Sequence, residues 1–398
     1  MTAATTKVLV VDNSTWNLYN FRAPTLRRFQ RAGLQVVSAA PVDAFLPHFR
    51  QKVHAPFRPL RHLRPRGRNP LRDLLFLLEL WRLFRSERPA LVLLYTIKPN
   101  LYGNFAARLL GIPTVSVVTG LGYPLLHGGW LNRLLLGLLR WALSGVQRLV
   151  VYNRADAGFL TSRGVVRPGQ CRVIPGSGVD TNRWRPVKRP GSSRGLVFLF
   201  AGRVLYDKGL GELAEAVREL RREFPRAECW VAGDLHSGNP AAVPAKVFHS
   251  WVQEGLFRYF GHVFDMRCLL REVDAVVLPS YREGIPRALT EAMSMGLPVI
   301  TTQVPGCREL VENGRTGLLV PPRTTLHLAE ALKQMCRMAP ETRRAMGLAG
   351  RRLVLQRYDQ RLTSELLLAE CLAALSISRH GVPPSKHRPV FRPAGAGI

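Results

Sequence analysis

Acid is scarce in this sequence. Only 27 Asp and Glu stand against 57 Lys and Arg, which leaves a formal net charge of +30. The scarcity is uneven: residues 1–185 hold 7 acidic side chains against 27 basic ones. Residues 44–72 contain no carboxylate and eight cations, from Arg50 through Arg72, and residues 88–155 also lack any carboxylate. Such an excess implies a polyanionic neighbour for the first half: anionic lipid, nucleic acid or a phosphorylated substrate. Arginines on solvated faces are the plainer alternative.

Cysteine is sparse as well. The six (171, 229, 268, 307, 336 and 371) form no CxxC pair and have no histidine at ligand spacing. A disulfide scaffold and a zinc module are therefore not expected, and a reducing compartment is. No apolar run approaches the ~20 residues that a membrane span needs. The nearest, 130–152, is interrupted by Arg133, Arg140 and Arg148. The N-terminus runs straight into a strand pattern, with no basic flank and apolar core of a secretory signal. These features predict a cytoplasmic protein. The ten histidines show no HExxH, and no DxD stands near the motifs below, so no metal is expected.

What is present is alternation. Short β-branched runs at Val8–Val11, Leu34–Ala39, Leu91–Tyr95, Thr114–Thr119 and Arg148–Tyr152 are separated by helical patterns. Those patterns cover Pro24–Ala32, Leu71–Arg85, Leu101–Leu110 and Leu131–Leu143. A stretch rich in Pro, Gly and Ser, Val187 to Gly195, breaks the pattern and reads as a linker. Strands are then expected at Leu196–Phe200, Glu228–Ala232, Val247–Trp251, Ala275–Leu278 and Pro298–Thr301, with helices at Gly211–Phe224 and Pro286–Met295. The fold class is α/β: two Rossmann-like, doubly wound domains facing across a cleft. The expected divisions are 1–187, 188–358, a last helix at 359–376 crossing back to the first domain, and a basic, disordered tail at 377–398.

Two segments carry chemistry. In YREGIPRALTEAM (281–293), Glu283 lies on a loop just before a helix that Pro286 opens, and Glu291 lies inside that helix. The backbone N–H groups of Gly284 and Ile285 and the positive helix end form a seat for phosphate. Beside it, Glu283 is placed to accept from sugar hydroxyls and Glu291 from a ribose diol. In FLFAGRVLYDKGL (198–210), Gly202, Arg203 and Lys208 follow a buried strand. The planar fork of Arg203 and the point charge of Lys208 suit a diphosphate.

The set AGR–x4–KG, VAGD (231–234), FGHV (260–263) and LPSYREGIPRALTEAM (278–293) resembles the C-terminal half of retaining glycosyltransferases of family 4, with the GT-B fold, over roughly residues 171–325. The resemblance implies that Arg203 and Lys208 contact the donor diphosphate, Glu283 the transferred sugar and Glu291 the ribose, with His262 and Val263 near the base. It also implies transfer with retention and without a metal; the only small molecule required is a nucleotide sugar, a UDP-sugar by subgroup. Residues 13–41 and 95–125 resemble the subgroup that builds capsule, O-antigen or other lipid-linked glycans. That subgroup implies a lipid-linked acceptor, with Lys98, Asn100, Gly120, Gly122 and Tyr123 as acceptor-side candidates.

The cationic run at 48–72 and the apolar helix after it predict attachment to the inner face of an anionic membrane. A soluble acceptor is the second enzyme reading. A non-catalytic polyanion binder is the third, although no reading motif for specific nucleic acid accompanies the charge.

Overall fold

A computed structural model describes residues 6–64, 69–121, 130–187, 195–235 and 238–380. Most of the linker and the tail from 381 onward, like Gly122 and Tyr123, lie outside the described residues.

Thirteen strands are described: β1 Lys7–Val11, β2 Gln35–Ala40, β3 Phe57–Pro59, β4 Leu91–Tyr95, β5 Thr114–Val118, β6 Arg148–Val151, β7 Cys171–Val173, β8 Val197–Ala201, β9 Glu228–Ala232, β10 Arg258–Tyr259, β11 Ala275–Leu278, β12 Val299–Thr302 and β13 Gly317–Val320. The first sheet has the order β3-β2-β1-β4-β5-β6-β7 and the second β10-β9-β8-β11-β12-β13, with every pairing parallel. Helices cover both faces of such sheets, so central strands are apolar throughout rather than alternating. LVLLY of β4 and AVVL of β11 are buried along their whole length.

In each sheet the order reverses beside its first strand, between β1 and β4 and between β8 and β11. Ligands of open α/β sheets bind at such switch points, beyond the strands' carboxyl ends.

The chain returns after the second sheet. Helix Gln360–His380 buries Leu367, Leu368, Cys371 and Leu375 in the same core as Val8, Leu26 and Phe29 of the first domain. Thr25 Oγ1 lies 3.1 Å from Ser364 Oγ, and Arg148 pairs with Glu370 at 3.1 Å.

One expected strand is wrong. Val247–Trp251 lies inside helix Ala245–Gln253. Phe248 and Trp251 are three residues apart and both buried, which one helical face provides and strand alternation does not. The strand pairing with β9 is instead the short β10.

Candidate active site

Two close backbone approaches shape the second switch point. After β8, Gly202 N donates to Ala232 O at 2.9 Å, while a Cβ on Gly233 would stand 1.8 Å from Gly202 O. Only glycine fits there, so the ends of β8 and β9 close up and Arg203 emerges between them. The chain then makes a short 3₁₀ turn, Tyr206–Lys208, and reaches Gly209 at φ +75°. A Cβ on Gly209 would meet Pro279 O at 2.2 Å. This contact brings the turn against the loop after β11.

Lys208 and Glu283 meet there. Lys208 Nζ stands 2.5 Å from Glu283 Oε1, which also accepts from Ser280 Oγ at 2.8 Å. Helix Arg287–Ser294 follows, with Pro286 as N-cap and no side chain capping its first N–H groups. Its positive end is thus free for an anion. One turn on, Glu291 accepts from Arg287 Nε at 2.6 Å, and Arg287 also donates to Asn20 O in the first domain. Burial pushes the Glu291 carboxyl above its ordinary range, against the pull of Arg287.

A cleft of about 310 Å³ lies between the domains. Of the expected donor-side residues, Gly202, Arg203, His262, Val263 and Glu291 line it. His262 Nδ1 stands 3.2 Å from Asp234 Oδ2. Lys208, Glu283, Gly284, Ile285 and Pro286 do not line that cavity; instead the Glu283 loop packs against the first domain. Asn153 Nδ2 donates to Gly284 O at 3.2 Å, and a Cβ on Gly284 would stand 2.0 Å from Thr119 O. Gly120, from the first domain, approaches the same peptide: its added Cβ would lie 3.5 Å from Gly284 N.

Two acceptor-side candidates lie away from the cleft lining. Lys98 does not line the cleft; it is tied to Asp73 at 2.5 Å. Asn100 is fully buried, with Nδ2 donating to Val117 O at 3.0 Å. It braces the loop after β4 and has no surface to offer an acceptor.

Sequence reasoning missed an aromatic wall. Trp16, Phe21 and Phe45 of the first domain face Phe264 of the second across the cleft. Phe45 and Phe264 stack at 6.0 Å between centroids and 6° between planes, and Trp16 meets Phe21 edge-on at 5.0 Å. Beneath it, Asp12 and Arg22 form a buried ion pair at 2.9 Å, with Arg22 donating to the Tyr152 hydroxyl and lying 3.8 Å over the Tyr95 ring. The signal was thin: single aromatics in separate loops, with no common spacing.

These features define a fold of two parallel-sheet α/β domains with a cationic, carboxylate-bearing switch point. Comparison with known proteins gives the family. Residues 25–183 match the family described as Glycosyltransferase Family 4, and residues 195–338 match Glycosyl transferases group 1. The chain belongs to these GT-B glycosyltransferases.

The glycogen synthase of Mycobacterium tuberculosis is 27% identical over 58% of this chain and 56% of its own length. The chain thus matches little more than half of that relative. An Escherichia coli enzyme named UDP-Gal:alpha-D-GlcNAc-diphosphoundecaprenol alpha-1,3-galactosyltransferase is 27% identical over 63% of this chain and 67% of its own. Among solved structures, HepE of Anabaena in complex with UDP and glucose superposes with a TM-score of 0.76, at 19% identity, over 92% of this chain and 98% of that one. At that identity the likeness establishes the fold.

Proposed function

We propose that this protein transfers a hexosyl or N-acetylhexosaminyl group from a UDP-sugar to a lipid-linked glycan, with retention of anomeric configuration, at the inner membrane surface. The observation that supports the reading is that the Lys208–Glu283 pair and the cleft-lining Arg203 and Glu291 all follow the carboxyl ends of the adjacent strands β8 and β11. Arg203 and Lys208 take the diphosphate, aided by the open end of helix Arg287–Ser294. They stabilise the charge that grows on the departing nucleoside diphosphate. Glu283 accepts from the transferred sugar, Glu291 from the ribose, and the His262–Val263 segment borders the base. Gly284 and Ile285 offer backbone N–H groups to the same anion. Charge neutralisation rests on these groups, so the reading requires no metal cofactor. Transfer in the presence of a chelator is its test.

The acceptor assignment draws on surface chemistry. Helix Pro70–Glu87 buries Phe76, Leu80 and Phe84, yet leaves Leu71 at 66% and Leu74 at 52% exposure, with Leu75 and Leu78 also exposed. This second apolar face adjoins the cationic run that ends at Arg72. Among the described residues no helix is long and apolar enough to cross a membrane. An apolar stripe flanked by arginines suits attachment to an anionic leaflet, where a lipid-linked acceptor resides. The E. coli relative named for a diphosphoundecaprenol acceptor agrees with this reading. The glycogen synthase relative favours a second one, a soluble glycan acceptor.

The deciding experiment is transfer from a panel of nucleotide sugars to polyprenyl-diphosphate-linked and to water-soluble sugars, with the product anomer read by NMR. Product only on soluble acceptors selects the second reading. An inverted anomer overturns retention, and no transfer from any donor overturns the enzyme reading.

A further inference from the structure

A second cavity, of about 230 Å³, adjoins the cleft, and four guanidinium groups line it: Arg183, Arg185, Arg267 and Arg271. Arg183 borders both cavities. No carboxylate lines the smaller one.

The local fold explains why the arginines share one wall. Trp184 is buried, and its carbonyl accepts from Ser294 Oγ at 2.5 Å and Arg351 Nη1 at 3.2 Å. Asp180 Oδ1 accepts from the backbone N–H of Asn182 and Arg183 at 3.1 and 3.0 Å. With Trp184 pinned inward, its neighbours Arg183 and Arg185 are left exposed on the cavity side. Across from them, Arg267 and Arg271 lie one helical turn apart and so share a face.

Their charges are not balanced. Arg267 is paired with Asp265 at 2.5 Å and holds that carboxyl down to about 2. Among the described residues the side chains of Arg183, Arg185 and Arg271 form no ion pair within 4 Å of a carboxylate. Arg183 has the carboxylates of Asp265 and Glu291 nearby, so the excess charge rests on Arg185 and Arg271; cations around one hollow repel each other, and an anion seated among them lowers that cost. The guanidinium fork matches phosphate oxygens in pairs.

We propose that this cavity is a second anion site, taking a small soluble ligand that bears a diphosphate or a sugar phosphate, distinct from the donor diphosphate position at Arg203 and Lys208. Arg183 links the two. Anions on both sides share one guanidinium, so each lowers the other's affinity, and the effect is reciprocal. A ligand of this class therefore weakens donor binding without entering the donor position.

The test uses inorganic pyrophosphate and calorimetry on the full chain, and it involves no transfer reaction. It therefore stands or falls apart from the proposed activity. In an Arg203→Ala/Lys208→Ala background, which silences the donor position, pyrophosphate still binds at one site at physiological ionic strength. Adding Arg185→Ala and Arg271→Ala lowers that affinity about 100-fold, from the loss of two charge-assisted contacts. Both arginines are exposed, so the thermal midpoint should hold. Adding Arg222→Ala and Arg226→Ala instead, on another surface, leaves binding unchanged. Retained pyrophosphate affinity in the Arg185/Arg271 variant overturns the site, as does an equal loss in the control pair. Binding of vesicles with phosphate-monoester headgroups through the same two arginines, with no pyrophosphate bound, overturns the soluble ligand.

Discussion

Lys208 Nζ stands 2.5 Å from Glu283 Oε1, where the loops after β8 and β11 meet. Both side chains are largely buried, at 16% and 14% exposure. The pair holds two loops together, and in the proposed function it also supplies a cation and a carboxylate to the donor. Lys208→Ala should lower kcat/KM about 100-fold, corresponding to ~2.7 kcal/mol of lost transition-state stabilisation. It should also lower the thermal midpoint, because Glu283 is left without its cation. Lys208→Met combined with Glu283→Gln should recover the midpoint and not the activity. Recovery of both would show the pair to be structural only.

Arg203 tests geometry rather than charge. It emerges at the carboxyl end of β8, where Gly233 forces the strands together. Arg203→Lys keeps the charge and loses the planar fork. Donor KM should rise by about tenfold or more while the midpoint stays constant. An unchanged KM would mean that Arg203 acts as a point charge alone.

Lys52 supplies a pH signature. Burial, together with Arg183, Arg27 and Arg287, pulls its ammonium down to about 8, although its Nζ lies 3.6 Å over the Tyr19 ring. Its ordinary value is 10.5. Between these values the unfolded chain binds more proton than the folded one, so this group's contribution to stability rises with pH. Below about 8 both states are charged and its unfavourable contribution is complete; above 10.5 it is gone. Lys52→Met should therefore raise the thermal midpoint most below pH 8. The difference should shrink as pH approaches 10.5, and a pH-independent difference would contradict the assignment.

Much of this was legible in the sequence because the information is local. Buried strands such as β4 and β11 are continuous apolar runs, and the Glu283 and Glu291 motif lies within one loop and one helix. The misread segment, Val247–Trp251, has β-branched and aromatic residues whose helical spacing shows only once Phe248 and Trp251 are known to share a core. The surroundings of Lys98 and Asn100 were illegible for another reason. Their partners, Asp73 and Val117, are set by the folding of the first domain, not by neighbours in the chain. The aromatic wall joins positions 16, 45 and 264, a juxtaposition that exists only after both domains meet.

That meeting can be measured. Phe264 is 60% exposed and contacts Phe45 across the cleft, so it adds little to the core of its own domain. Phe45→Ala and Phe264→Ala should each raise donor or acceptor KM with small effects on the midpoint. In a double-mutant cycle on kcat/KM the two should couple by about 1 kcal/mol, the typical value of an aromatic pair. Strict additivity would show that the stack does not form during turnover.

The exposed stripe of helix Pro70–Glu87 separates apolar attachment from simple charge attraction. Leu74 and Leu75 are exposed where Phe76, Leu80 and Phe84 of the same helix are buried, so polar replacement leaves the core intact. The wild-type chain should co-sediment with anionic vesicles at low salt and release at high salt, as arginine contacts are screened. Burying a leucine is worth about 1.5–3 kcal/mol. Leu74→Gln with Leu75→Gln should therefore cut vesicle binding by well over tenfold at a salt concentration where the wild type still binds. Transfer to a water-soluble acceptor analogue should be unaffected, because neither leucine lines the cleft. Unchanged vesicle binding in this variant would leave charge as the only attraction, and absence of wild-type binding at low salt would remove the membrane from the reading.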